Sequence, residues 1–299
     1  MHLQALAELL LAGIMRGGIY ALMAVGLSLV FGVMNVPQFA HGEFYMLGAY
    51  VAYFAFKALG WNPLLAIALA GLAGFAAGAL IEKAVFSPLH RRVREHWVLN
   101  SFLVTVGLSF VMQNGAQVIW GGNYYGITSY WKTPVRFVTT MGISLDRAMS
   151  LAIAAVVIFA FMIFLRSTRI GRAIRAVSQD ETGAMLVGID LDRIRNLTFG
   201  LSGMLAATAG ASLLSMVPAH PTMGLEPLYK SWYVVILGGL GSVGAAIPAG
   251  LIVGTLETFS YYFLGAAWQN VISLSLMILM LLLKPNGIFG SEVKGIWER

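Results

Sequence analysis

The sequence predicts an all-α, polytopic helical membrane protein of about eight transmembrane helices, within roughly seven to ten, some of them broken or re-entrant. Three observations predict it. Of 299 residues, 59% are hydrophobic and 11% charged, where a soluble domain carries about 25% charged residues. Mean hydropathy is +0.80. The apolar residues gather in runs near the roughly 20 residues that a helix needs to cross a bilayer. No loop is long enough for a soluble domain, so residues 1–299 read as a single transmembrane domain. The absence of cysteine removes disulfides, thiolate chemistry and Cys-type zinc sites.

The first apolar run, 6–33, reads as a span with or without a preceding surface helix, divided near Arg16-Gly17-Gly18. Arg16 is its first positive charge, so it lacks the basic start of a secretory signal and reads as a retained segment. The run should end near Asn35, because Pro37 cannot continue a helix and restricts the residue before it. The second run, 37–57, opens with Gln38, His41 and Glu43. Glu43 falls in the first turns of the new helix, where the N-terminal dipole favours a carboxylate. Non-helical backbone at membrane depth survives only where protein buries it or water reaches it. A charge near mid-bilayer costs roughly 3 kcal/mol on insertion scales, so these polar groups should face the bundle interior. Two roles fit them: a clasp that ties the second span to a neighbour, or a polar route for a small solute.

The third run, 62–82, repeats small residues every four positions at Ala70, Gly74 and Gly78, a stripe for close helix packing. The fourth, 98–120, places Thr105, Ser109, Gln113 and Gln117 four apart, with Asn114 beside them. Such a stripe is interhelical glue, or it suits a solute with hydrogen-bonding groups and no strong charge. The fifth run is 149–165. The sixth, 197–217, contains Gly200-Leu-Ser-Gly203, a pattern resembling that of intramembrane serine proteases. Ser202 would need a histidine base within reach, and His41 is the buried candidate. Thr198, Thr208, Ser212 and Ser215 recur through the same helix, which favours hydrogen bonding between helices over hydrolysis. The seventh run, 228–242, is short for a full span and fits a re-entrant segment. Gly239, Gly241 and Gly244 have dinucleotide-fingerprint spacing, but they lie between membrane runs and not after a strand. They read as a helix break. The eighth run, 244–264, carries a second small-residue stripe at Ala246, Gly250 and Gly254, and the ninth is 268–283.

Basic residues set the orientation. Lys83, Arg91, Arg92 and Arg94 lie in 83–97. Arg166, Arg169, Arg172, Arg175, Arg193 and Arg195 lie in 166–196. Lys284, Lys294 and Arg299 lie in the tail. The positive-inside rule assigns all three segments to the cytoplasm, which leaves the Trp- and Tyr-bearing loop 121–148 facing outward. This placement accounts for the net charge of +6 without nucleic acid.

Within 166–196, Ile170, Ala173, Ile174 and Val177 follow the spacing of an amphipathic helix. Ser178 and Glu181 then form a capping-box pattern, and Gly188 is a natural stop. A second short helix is expected over 179–187, about 14 Å long. It presents Ala184, Met185, Leu186 and Val187 outside the bilayer. Either it packs on the protein's own cytoplasmic face or it is a knob for a cytoplasmic partner. The chain has no G-x-x-x-x-G-K-[ST] phosphate loop, so any ATP hydrolysis belongs to another subunit.

Four stretches together carry a family likeness. "GLSLVFGVMNVPQFAHGEFYMLGAY", "RAIRAVSQDETGAMLVGIDLDRIRNLTFGLSGMLAATAG", "VVILGGLGSVGAAIPAGLIVGTLE" and "KPNGIFG" resemble, in order and over nearly the whole chain, permease subunits of branched-chain amino-acid ABC importers of the LivH type. The resemblance implies a non-enzymatic, multi-pass permease of the bacterial inner membrane, without cofactor or metal. It implies inward movement of Leu, Ile and Val, delivered by a periplasmic solute-binding protein. A second related permease and two cytoplasmic ATPase subunits would complete the complex. Helix 179–187 then corresponds to the segment that inserts into an ATPase groove, with Arg175, Ser178, Asp180, Glu181, Met185 and Leu186 as coupling residues. Asn35, Gln38, His41, Glu43, Gln113 and Gln117 are the residues of the translocation region. One departure stands out: importers of this broad class often show E-A-A-x-x-x-G, whereas here Thr182-Gly183-Ala184 precedes Gly188. Related permeases handle urea or short amides, which keeps that substrate class open. A stand-alone carrier or channel driven by a gradient is the rival from another class.

Overall fold

The structure, a computed structural model, describes residues 3–92, 96–131 and 144–289. Arg94, Lys294, Arg299 and loop residues 132–143 of the sequence reading lie outside the described residues. Helix α1 (Leu3–Met34) runs unbroken for 32 residues, so the division expected at Arg16-Gly17-Gly18 does not occur. The glycines there serve close approach instead: a side chain on Gly17 would strike the backbone of Gly250 and Leu251, and one on Gly18 would strike Leu151. Asn35 ends the helix with a left-handed φ of 52°, two residues before Pro37.

After a non-helical link, α2 (His41–Tyr53) continues into a π turn, Phe54–Ala58. The Asn62 side chain caps α3 (Pro63–Ile81) by accepting from the Leu64 N–H at 3.0 Å, with Pro63 at the first helical position. A second π turn, Glu82–Phe86, leads into α4 (Ser87–Arg92). Then come α5 (Trp97–Trp120) and α6 (Leu145–Ser167). The basic segment forms α7 (Arg169–Gln179) and α8 (Glu181–Leu186). The chain ends with α9 (Leu191–Ser212), α10 (Leu225–Gly238), α11 (Val243–Leu264) and α12 (Ala266–Leu283). No strand occurs among the described residues; Tyr125 and Ala219 make one isolated bridge. Among the described residues, six stretches are long and apolar enough to cross a membrane: α1, α3 through α4, α5, α6, α11 and α12. Helices α2 and α10 are too short, and α9 is sheltered by protein along most of its length. The chain is an all-α, polytopic membrane protein.

Both predicted small-residue stripes are packing surfaces. Along α1 and α11, Gly13 meets Thr255, Gly17 meets Gly250, and Gly254 returns to Gly17, so the helices run antiparallel. Along α3 and α9, Gly71 meets Thr208, Gly74 meets Gly203, and Gly78 meets Phe199, again antiparallel. The two pairs are reciprocal: the first helix of α1-α2-α3 packs on the last of α9-α10-α11, and the reverse. The short middle helices α2 and α10 start against each other at Gly42 and Gly224 and lead to opposite ends of the bundle. Tyr50 of α2 stacks on Trp120 at the C-terminal end of α5. The break after α10 lies against Gly32 near the end of α1, whose Met34 carbonyl accepts from Trp97 at the N-terminal end of α5. This is the pattern of an inverted repeat with discontinuous helices.

The helix break read from Gly239 and Gly241 is present, with φ of 114° and 80°. The C-terminal stretch closes it. Ile288 N–H donates to the Leu237 carbonyl (2.8 Å) and Phe289 N–H to that of Gly238 (3.3 Å), satisfying carbonyls that the end of α10 leaves open.

Candidate translocation and coupling sites

Proline and the left-handed Asn35 free the chain to bring the start of α2 into the bundle interior, where Gln38, His41 and Glu43 are fully buried. Glu43 Oε1 accepts from Ser109 Oγ (2.8 Å) and Gln113 Nε2 (2.7 Å), while Oε2 is buried without a partner. Thr105 Oγ1 donates to the Pro37 carbonyl at 2.9 Å. Three members of the α5 stripe therefore fasten the broken segment. The fourth, Gln117, is exposed, and so is Asn35; neither joins this cluster.

His41 meets α1 and α9. Its Nε2 lies 3.0 Å from the Met23 carbonyl, which can only accept, so Nε2 carries the proton. Nδ1 is then free to accept from Ser202 Oγ, 3.2 Å away. The serine and histidine that a hydrolase would need are thus side by side, but both are fully buried. Gln38 Oε1 lies 3.4 Å from the same hydroxyl, completing the buried group.

At the basic end of the bundle, α7 buries Gly171, Ile174 and Val177 and exposes Arg175. The capping box expected from Ser178 and Glu181 does not form. Helix α7 continues through Ser178, whose Oγ donates back to the Arg175 carbonyl at 2.9 Å. Glu181 instead pairs with the Arg195 guanidinium, since a full positive charge outbids a lone backbone N–H. Helix α8 therefore spans six residues, Glu181–Leu186, about 9 Å long, and not 179–187. Its end follows the expectation. Gly188 has φ 84°, its N–H donates to the Met185 carbonyl (3.0 Å), and Ile189 N–H donates to that of Ala184 (3.1 Å), a Schellman motif. Ala184 is buried, whereas Met185 is 51% and Leu186 85% exposed. Ser178 and Asp180 are exposed beside them. Arg91 pairs with Asp192 at 2.8 Å, tying α4 to the start of α9.

Sequence reasoning missed a third polar group. Lys230 on α10 and Glu257 on α11 form an ion pair, 2% and 0% exposed. Tyr20 donates to Glu257 (2.9 Å), Ser273 donates to Glu257 (2.7 Å), and Lys230 donates to Asn270 Oδ1 (2.6 Å). The available signal was a lone lysine and a lone glutamate in apolar runs, each too costly to insert without a partner. Beside the pair lies a cavity of about 560 Å³ reaching Arg16, Arg147 and Glu226.

The family described as "Branched-chain amino acid transport system / permease component" matches residues 9–281. The permease protein LivH of the high-affinity branched-chain amino acid transport system of Salmonella typhimurium is 32% identical over 287 residues, 93% of each chain. The corresponding BraD of Pseudomonas aeruginosa is 33% identical over 297 residues, 94% of each chain. LivM of Salmonella typhimurium, a permease protein of the same transport system, is 24% identical over 90% of this chain and 67% of its own. No solved structure shows a significant match. The chain belongs to the branched-chain amino acid transport permease family.

Proposed function

We propose that this chain is the membrane-spanning permease subunit of an ATP-driven ABC importer for branched-chain amino acids in a bacterial inner membrane. A periplasmic binding protein delivers the solute, a second related permease completes the route, and two cytoplasmic ATPase subunits supply the force. The likeness to LivH and BraD over nearly the whole chain supports the substrate class, and the likeness to LivM supports the paired permease.

The observation that carries the coupling is the exposed apolar tip of α8. Met185, Leu186 and Val187 are 51%, 85% and 75% exposed, yet the helix behind them is fastened by Glu181–Arg195. Apolar side chains held out on a braced knob suit a groove on a soluble partner. Arg175, Ser178 and Asp180 supply a polar rim. In the translocation region, Gln38, His41, Glu43 and Gln113 act as fasteners that set the position of α2. Asn35 and Gln117, exposed on this chain alone, face the partner permease or the route, since amides in contact with lipid tails are costly.

The test is co-purification in mild detergent. Met185→Asp with Leu186→Asp should abolish retention of the ATPase subunits while membrane insertion and the second permease are kept. Retained ATPases would overturn the docking role, and uptake by the isolated chain in liposomes would overturn the importer reading.

A further inference from the structure

The cavity of about 560 Å³ lies between the first half of α1, the start of α10 and the last turns of α11. It occupies the half of the bundle away from the basic end, since Arg147 and Leu213, at the far ends of α6 and α9, also line it. Ligand pockets are roughly 300–1,000 Å³, so the space suits a small molecule. Its walls are aliphatic, sulfur-bearing and aromatic, including Leu9, Met15, Met216, Met223 and Tyr261.

Four charged side chains reach the space: Arg16, Arg147, Glu226 and Lys230. Lys230 is neutralised by Glu257 and also held by Asn270. The others are not. None of the ion pairs among the described residues involves Arg16, Arg147 or Glu226. Arg16 Nη1 is buried without a hydrogen-bond partner, a donor of a carboxylate-matching fork left unused. Glu226 stands one turn before Lys230, exposed and acceptor-only. Unpaired charges are stable only against water or a polar partner, not against lipid.

Resting on the permease reading, we propose that this cavity is a subsite for an α-amino-acid zwitterion, with Arg16 taking the carboxylate, Glu226 taking the ammonium, and the Met and Leu walls taking the aliphatic tail. The chemistry selects against the alternatives. A neutral amide or urea leaves both charges unmatched. A simple anion leaves the glutamate opposed, and a simple cation leaves the arginines opposed. A molecule with both charges on one carbon and an apolar side chain matches Arg16, Glu226 and the apolar wall together, leaving Arg147 as the one further charge on the lining besides the neutralised Lys230. The subsite adjoins the buried Lys230–Glu257 pair, whose lysine lines the same cavity.

The experiment uses the complete complex, with its binding protein, in proteoliposomes. Labelled leucine uptake is compared for the parent chain, Arg16→Gln and Glu226→Gln at saturating binding protein, with subunit co-purification as the assembly control. Removing one partner of a charge-assisted hydrogen bond should lower uptake by about tenfold to a hundredfold. The chain has no cysteine, so Met216→Cys places a single thiol on the cavity wall, and its labelling by a charged methanethiosulfonate is read by the mass of the chain. Leucine should slow that labelling and isovaleramide, its neutral counterpart, should not. If the parent complex carries leucine but both charge variants match it, or if isovaleramide protects as well as leucine, the subsite falls and the permease reading stands. If the parent complex does not carry leucine, the permease reading falls and takes the subsite with it.

Discussion

Gly42 and Gly224 meet backbone to backbone at the starts of α2 and α10. A Cβ on either would overlap the carbonyl oxygen of the other. The contact is reciprocal, as expected where two halves of an inverted repeat cross. Each glycine is there because only hydrogen fits.

Gly42→Ala and Gly224→Ala should therefore each destabilise the protein, by about 1–3 kcal/mol as for other overpacked sites. Gly107→Ala and Gly115→Ala are the contrast, since nothing lies within 4 Å of a Cβ at either. There, the gain in helix propensity of up to about 1 kcal/mol should dominate. Unfolding in detergent, monitored by intrinsic fluorescence, separates the two classes; equal melting of all four variants would remove the crossing from the account.

The Glu43 cluster predicts a coupled pair. Glu43→Ala leaves Ser109 without its acceptor and Gln113 with the Ser109 hydroxyl alone, 3.1 Å away, and Gln113→Ala leaves Glu43 with Ser109 alone. Each should cost about 1–3 kcal/mol. A double-mutant cycle on unfolding should show a coupling of about 0.5–3 kcal/mol. Additive losses would mean that the carboxylate is not held by Gln113. If Glu43 serves chiefly as a fastener, transport and folded yield should decline together. A selective loss of transport would place it on the route instead.

Several of these features were legible before the structure. The break at Asn35–Pro37, the inward turn of Gln38, His41 and Glu43, and the four-residue stripe on α5 follow from backbone sterics and the cost of polar groups in lipid. Those are local or one-body arguments, and one sequence suffices for them. The capping box failed for a related reason. Ser178 and Glu181 have the right spacing, but α7 extends through Ser178 and Arg195, fourteen positions away, claims the glutamate. Lys230–Glu257 was hidden because the partner of a lone charge depends on which helices touch. The repeat was hidden because Val36-Pro37 to Gly42 and Val217-Pro218 to Gly224 differ by one residue and share little else.

The clamp behind the coupling helix can be loosened on its own. The Arg195 side chain is 7% exposed and, without Glu181, keeps only Asp192, 3.7 Å away. Glu181→Ala should speed hydrogen exchange over residues 181–188 by at least about tenfold, the equivalent of one lost charged hydrogen bond. ATPase co-purification should weaken in parallel. Glu181→Gln, which keeps an acceptor, should fall between. Unchanged exchange in the alanine variant would show that α8 is held by its Schellman end and Ala184 alone.

The Lys230–Glu257 pair yields a prediction with an inverted order. Both partners are essentially unexposed, so removing one leaves the other as an uncompensated buried charge. Breaking a buried pair in this way costs about 3–5 kcal/mol, whereas removing both charges costs much less. Lys230→Met and Glu257→Gln should therefore each unfold more readily than the double variant carrying both changes. Glutamine is chosen at 257 because its oxygen still accepts from Tyr20 or Ser273, which isolates the charge from the hydrogen bonds. The measurement is denaturant unfolding of the three variants in one detergent. Should the double variant be the least stable of the three, the two side chains contribute independently, and the pair is not what holds α10 against α11.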